Sequence, residues 1–169
     1  LKSCNASGLM VTHDPEEAIS ICDKVAVMNE GKIHQIDTPF KLLENPQTLF
    51  VSSFILGNNI ISLNKKTKSY FSCLGDIKGF DMLINSDIKF ISISPKFLSL
   101  NSSKNNNSVV VSREFFGEYF VYKVSINDET LRVRTDISKV FDIGDKCNIS
   151  FSKDSYCYLY PGGKKHLIN

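Results

Sequence analysis

From Gly57 onward the chain breaks into short apolar runs at close, regular intervals, a pattern that fits a small β barrel or sandwich and little else. The runs cover residues 59–63, 69–74, 80–84, 88–94, 108–116, 119–126, 129–135, 146–151 and 156–160. Turn residues separate them: Gly75-Asp76, Gly79, Asn127-Asp128 and the stretch Asp142 to Asp145. The polar run "NSSKNNNS", 101–108, reads as an exposed linker or long loop that divides the β region into two parts of similar size. Along 119–126, strand alternation predicts that Phe120, Tyr122 and Val124 face the core while Val121, Lys123 and Ser125 face solvent.

Upstream of Gly57 the texture is different, with strand and helix patterns alternating. "LMVTHDPEEA", 9–18, reads as an apolar strand running into His13 and then directly into a helix. Asp14 suits the N-cap, Pro15 the first helical position and Glu17 the third, as in a capping box, while Glu16 adds charge that favours the positive helix end. Ala18, Ile21, Cys22 and Val25 recur at helical spacing on one face. "KVAVMNEGKIHQI" reads as a hairpin around a three-residue loop, Asn29-Glu30-Gly31. "TPFKLLENP" predicts a helix capped by Thr38 and begun by Pro39, with Asn45-Pro46 as its stop and the next start.

Hydrophobic residues make up 42% and charged residues 22% of the 169 positions, the balance of a chain that buries a core. A net charge of +2 is too small to select nucleic acid or an anionic membrane surface. No apolar run approaches the roughly 18 residues of a membrane helix, so a membrane role would come through a partner. Cys4, Cys22, Cys73, Cys147 and Cys157 are widely spaced, form no C-x-x-C pair and read as reduced, mostly buried thiols of a cytosolic protein.

In this order the segments resemble the ATP-binding subunits of ABC transporters, in the importer branch that carries an added C-terminal regulatory domain. "VTHDPEEA" matches the switch-histidine motif, and "CDKVAVMNEGKIHQIDTP" matches the hairpin that follows it. "LLENPQTLFVSSFILGNNII" matches the helical exit of the nucleotide-binding domain. "VVVSREFFGEYFVYKVSINDETLRVRTD", with "FDIGDKCNISF", resembles the TOBE module, an OB-like barrel. One departure stands out: where relatives usually read I-R-P-E, this chain reads "ISPKF", with Ser94 and Lys96 in place of the Arg and the Glu.

The resemblance implies a mainly β chain with two parts. Residues 1–56 would be the α/β tail of a P-loop nucleotide-binding domain, and 57–169 an OB-like (TOBE) regulatory and dimerisation domain. It assigns His13 to the catalytic machinery of the intact subunit, contacting the γ-phosphate and helping to position the attacking water. The phosphate loop ending Gly-Lys-Ser/Thr, the acidic strand end and the Leu-Ser-Gly-Gly-Gln signature do not occur here. ATP and Mg²⁺ would therefore be bound by a longer subunit, and the fragment alone is expected to be inactive with no cofactor or metal of its own.

The implied partners are a second copy, transmembrane permease subunits and a solute-binding protein, at the cytoplasmic face of the inner membrane. Ferric iron is the favoured cargo; polyamine, sulfate and sugar importers share much of this pattern. Two other classes compete. An OB-like barrel can bind a small oxyanion through converging amides and hydroxyls, or single-stranded nucleic acid on exposed aromatics; the alternation in "YFVYKV" argues against the latter, so nucleic acid is not an expected partner. Glu16 and Glu17 point about 100° apart on a helix and read as capping charge, not a carboxylate pair. His34 and His166 read as exposed and non-catalytic. The apolar faces of the first 56 residues need a cover, supplied either by packing on the barrel or by a second chain.

Overall fold

The computed structural model describes residues 7–66, 69–77, 87–103 and 108–168. Helix α1, Pro15–Ile21, starts as its punctuation dictates. Asp14 Oδ1 accepts from the amides of Glu16 (2.9 Å) and Glu17 (3.3 Å), satisfying two amides of the first turn. The reciprocal half of a capping box is absent because the Asp14 amide donates to Thr12 Oγ1 at 3.0 Å. Ala18 and Cys22 pack inward, whereas Ile21 is exposed. The strand expected over 9–11 does not form: Leu9 and Val11 are 96% and 92% exposed, and no described residue offers this segment a ladder partner.

Strands β1, Val25–Asn29, and β2, Lys32–Asp37, make an antiparallel hairpin with Asn29 opposite Lys32. Its turn is therefore two residues long, not three. Glu30 (φ 49°) and Gly31 (φ 72°) both take positive φ, the primed-turn geometry that matches strand twist. Helix α2, Pro39–Glu44, is capped by Thr38 Oγ1, which accepts from the Lys41 amide at 3.4 Å. Helix α3, Leu49–Leu56, begins at Thr48, not at Pro46: the Thr48 hydroxyl accepts from the Val51 amide at 3.2 Å. It ends on Gly57, whose left-handed φ of 62° suits glycine. Val25, Val27, Leu42, Val51 and Ile55 form one small core among these elements.

The remainder is antiparallel β structure. The strands are β3 Asn59–Ser62, β4 Asn64–Lys66, β5 Ser69–Ser72, β6 Gly75–Ile77, β7 Phe90–Ile93, β8 Leu98–Ser102, β9 Ser108–Phe115, β10 Tyr119–Ile126, β11 Glu129–Asp136, β12 Lys146–Phe151, β13 Ser155–Tyr160 and β14 Lys164–Ile168. Among the described residues they order as a five-stranded sheet, β11-β10-β9-β12-β8, a four-stranded sheet, β14-β13-β7-β3, and a three-stranded sheet, β4-β5-β6. The 3₁₀ turn Pro95–Phe97 and β8 pack against β11, curling the five-stranded sheet toward closure. The chain is thus mainly β, as expected, and of a kind that fits an OB-like domain.

One large core unites these sheets, and it includes Ile61, Tyr70, Ile91, Leu100, Val110, Tyr122, Val124, Val133, Ile149, Cys157 and Leu159. Tyr122 and Val124 are fully buried and Phe120 packs beside them, while Lys123 is exposed; Val121, expected outside, is also buried. Tyr122 meets the ring of Phe141 edge-on, and its hydroxyl accepts from the Phe141 amide at 3.1 Å, so this buried phenol has the partner it needs. The reading of 101–108 as an exposed loop is corrected at both ends. Asn101 and Ser102 close β8 opposite Asn148 and Cys147, and Ser108 is buried at the start of β9. The run predicted over 80–84 lies outside the described residues.

Candidate functional site

His13 lies between Thr12, whose hydroxyl accepts from the Asp14 amide, and the first turn of α1; it is exposed. Glu16 and Glu17 beside it are exposed capping-turn residues and form no facing carboxylate pair. Among the described residues, no cluster of three or more His, Cys, Asp or Glu could hold a metal ion. The other two histidines lie elsewhere and are half-buried, not exposed as expected. His34 Nδ1 lies 3.2 Å from Thr48 Oγ1 and its ring packs on Phe50, because β2 faces α3; His166 sits in β14 opposite Cys157.

Three of the described cysteines, Cys73, Cys147 and Cys157, are held as thiols at neutral pH. Burial pushes the Cys157 thiol from about 9 up to about 12, and the Cys147 thiol up to about 11 with help from the Asp145 charge. Burial, reinforced by Glu129, also pushes Cys73 up to about 12. All four described cysteines are free. A raised folded pKa means that the unfolded state loses its proton first, so this stabilisation is complete below about pH 9 and is lost as pH rises toward 12. Chemical denaturation should accordingly give a midpoint unchanged from neutral pH to about 9 and falling steadily above it; a midpoint that stays level up to about 11 contradicts the burial of these thiols.

Several buried polar side chains meet where the helical part joins the β domain. Strand β13 is buried on both faces: Cys157 and Leu159 enter the main core, and Tyr158 and Tyr160 face the other way. The Tyr158 hydroxyl donates to the Leu43 carbonyl at 2.9 Å, and the Tyr160 hydroxyl donates to the Pro46 carbonyl at 2.7 Å. Burial raises the pKa of both phenols, so they remain donors at physiological pH. Pro46 is held from its other side by buried Gln35, which donates to the Asn45 carbonyl (3.1 Å) and accepts from the Gln47 amide (2.9 Å). Ser52 of α3 also hydrogen-bonds Ser92 of β7 across the same seam. The first part of the chain therefore packs on the β domain, one of the two covers expected for it.

The seam was not visible in the sequence; the alternation Tyr156, Tyr158, Tyr160 was its one available signal. Removing the hydroxyl in Tyr160→Phe strands the buried Pro46 carbonyl, at an expected cost of about 1–2 kcal/mol. Thermal denaturation checks this, and an unchanged midpoint would show that the bond contributes nothing.

Two clefts open beside the seam, and Lys96 lines both. One, about 310 Å³, is bounded by Leu43, Ile55, Leu56, Asn58, Ser94, Tyr156 and Tyr158. The other, about 340 Å³, is bounded by Glu118, Tyr119, Arg134, Thr135 and Asp136, with the Arg134 guanidinium 3.7 Å over the Tyr119 ring.

No protein-family model matches the chain. Over 61 residues, 36% of its length, it is 51% identical to the spermidine/putrescine import ATP-binding protein PotA of Trichormus variabilis, of which it covers 16%. Over 164 residues, 94% of its length, it is 28% identical to the Fe(3+) ions import ATP-binding protein FbpC of Haemophilus influenzae, of which it covers 47%. Over 158 residues it is 27% identical to PotA of Mycoplasmopsis synoviae, of which it covers 34%. The chain resembles the C-terminal part of an ABC-importer ATP-binding subunit of the iron or polyamine type, and it spans less than half the length of these relatives.

Proposed function

We propose that the chain serves as the C-terminal part of the ATP-hydrolysing subunit of an ABC importer, with ferric iron as cargo. The observation that carries this is the similarity along 94% of the chain to an iron-import ATP-binding protein. A polyamine cargo is the second reading, favoured by the 51% identity over 61 residues to a polyamine-import protein.

In this reading residues 1–56 close the nucleotide-binding domain and 57–169 form the regulatory and dimerisation domain. Two observations support the division: the separate small core before Gly57 and the single large core after it. His13 would reach the γ-phosphate of ATP bound by the remainder of the subunit. In this reading the phosphate loop and the Mg²⁺ ligands are supplied by the rest of the subunit. Bound Mg²⁺-ATP supplies the phosphoryl group; this chain's contribution is to hold a histidine on a capped, rigid turn and to keep two copies together. Permease subunits and a solute-binding protein complete the transporter at the cytoplasmic face of the membrane; no described helix is long and apolar enough to cross one.

Sedimentation velocity of the 169-residue chain tests the pairing role. A concentration-stable dimer of about 38 kDa, twice the 19.0 kDa chain, is expected. A monomer at every concentration removes dimerisation from the roles of this domain.

A further inference from the structure

The seam ties the β domain to the elements on which the histidine turn rests. Tyr158 and Tyr160 of β13 donate to the carbonyls of Leu43 and Pro46, 115 and 114 residues earlier in the chain, and Gly163 lies against the Pro46 backbone. These contacts hold the end of α2 and the connection into α3. Gln35 holds the same connection from β2.

Helix α1 depends on that platform. It is 7 residues long and buries none of them completely; Ala18, Ile19 and Cys22 pack on the small core that Leu42 of α2 and Val51 and Ile55 of α3 form with β1. It touches both α2 and α3. Helices of 6 to 8 residues do not hold a fixed conformation in water unless packing fixes them. Leu42 is fully buried in the small core, and the next residue, Leu43, carries the carbonyl that Tyr158 holds. A close-packed interior transmits displacement, so a shift of the connection between α2 and α3 reaches α1 and the residue before its cap, His13.

We propose that Tyr158 and Tyr160 are positioning residues for ATP hydrolysis: by fixing the end of α2 and the connection into α3, they set the place of α1 and with it that of His13. This rests on the reading of His13 as the group that reaches the γ-phosphate. A misplacement of about 1 Å at a reacting group can cost about 10²-fold in rate. Two lost hydroxyls loosen the platform without removing it, so a smaller loss, about fivefold, is expected. Nucleotide affinity should not follow, because in that reading the remainder of the subunit binds the nucleotide. The β domain thereby bears on hydrolysis without touching ATP.

The test is a double-mutant cycle in the complete subunit, read as kcat and KM with radiolabelled Mg²⁺-ATP and normalised to the measured nucleotide-binding stoichiometry. Tyr158→Phe with Tyr160→Phe is expected to lower kcat about fivefold and to leave KM within about twofold. In the His13→Ala background the same pair should change the residual kcat by less than about 1.5-fold, since no histidine remains to be misplaced. A merely structural role gives the same fractional loss in both backgrounds. Tyr122→Phe is the control: its hydroxyl also serves a buried backbone group, the Phe141 amide, but within the β-domain core and away from the seam. Its kcat should stay within about 1.5-fold of the parent. Circular dichroism checks folding, and Tyr160→Phe alone, with a loss of at least about twofold expected, replaces the pair if the pair does not fold. Parental kcat in the seam variant, an equal fractional loss with and without His13, or an equal loss in Tyr122→Phe overturns the proposal and leaves the reading of His13 standing. A His13→Ala subunit that hydrolyses ATP at the parental rate overturns both.

Discussion

Gly163→Ala is expected to destabilise the protein by about 3 kcal/mol. A Cβ at this position would stand 2.2 Å from the Pro46 carbonyl oxygen, 3.1 Å from its carbon and 3.3 Å from Gln47 Cα. All three are backbone atoms, and the same carbonyl is fixed by the Tyr160 hydroxyl. Neither side can yield as a flexible side chain would. Gly163 also has φ +64°, where an L-residue adds strain of about 1–2 kcal/mol to the overlap. Gly31→Ala is the control: it has a similar φ, +72°, but nothing within 4 Å of the added carbon, so only the strain should appear. Urea denaturation of both variants separates the two contributions. Limited proteolysis should show the segment before Gly57 cleaved faster in Gly163→Ala, because the seam is what loosens. Equal losses in the two variants would mean that the close approach at Pro46 is not maintained in solution.

His13→Ala, made in the complete subunit, is expected to lower ATP turnover by about 10²-fold or more while leaving nucleotide binding within a few-fold. The histidine sits one residue before the α1 cap, so its backbone is held by two hydrogen bonds from the first helical turn to Asp14 and one from Asp14 to Thr12. On the proposed role, orienting the attacked phosphoryl and its water acts in the transition state, so kcat should fall and affinity should not. Asp14→Ala separates position from chemistry. Losing the cap costs about 1 kcal/mol of local helix stability and should lower turnover only modestly, with His13 still present. If His13→Ala turns over ATP at the parental rate, the histidine turn is a helix start and nothing more.

Which strands could be read from the sequence follows from their chemistry. β9 to β13 are six to eight residues long and rich in β-branched and aromatic residues, with β11 strictly alternating, and the sequence places each within a residue or two. β4 is Asn64–Lys66, three polar residues with no apolar face, and β14 begins with two lysines that read as a basic tail. β8 was hidden because its last two residues open the polar run. Such strands exist because a neighbour pairs with them, and a local pattern carries no information about the neighbour. The same reason concealed the seam: Tyr158 and Tyr160 reach carbonyls more than 100 residues earlier in the chain. The Asp14 and Thr38 caps were legible because a cap is completed within four residues. The strand at 9–11 failed for the opposite reason, an apolar pattern with no described partner to pair it.

Uptake of radiolabelled ferric iron by cells from which the gene for the complete subunit is deleted, and then restored, is the most direct measurement of the proposed role. Iron uptake should fall at least about tenfold on deletion, return with the restored gene, and stay low when the restored copy carries His13→Ala, while spermidine uptake is unchanged. Loss of spermidine uptake in place of iron would transfer the cargo to the polyamine class. Unchanged uptake of both would contradict the importer reading itself.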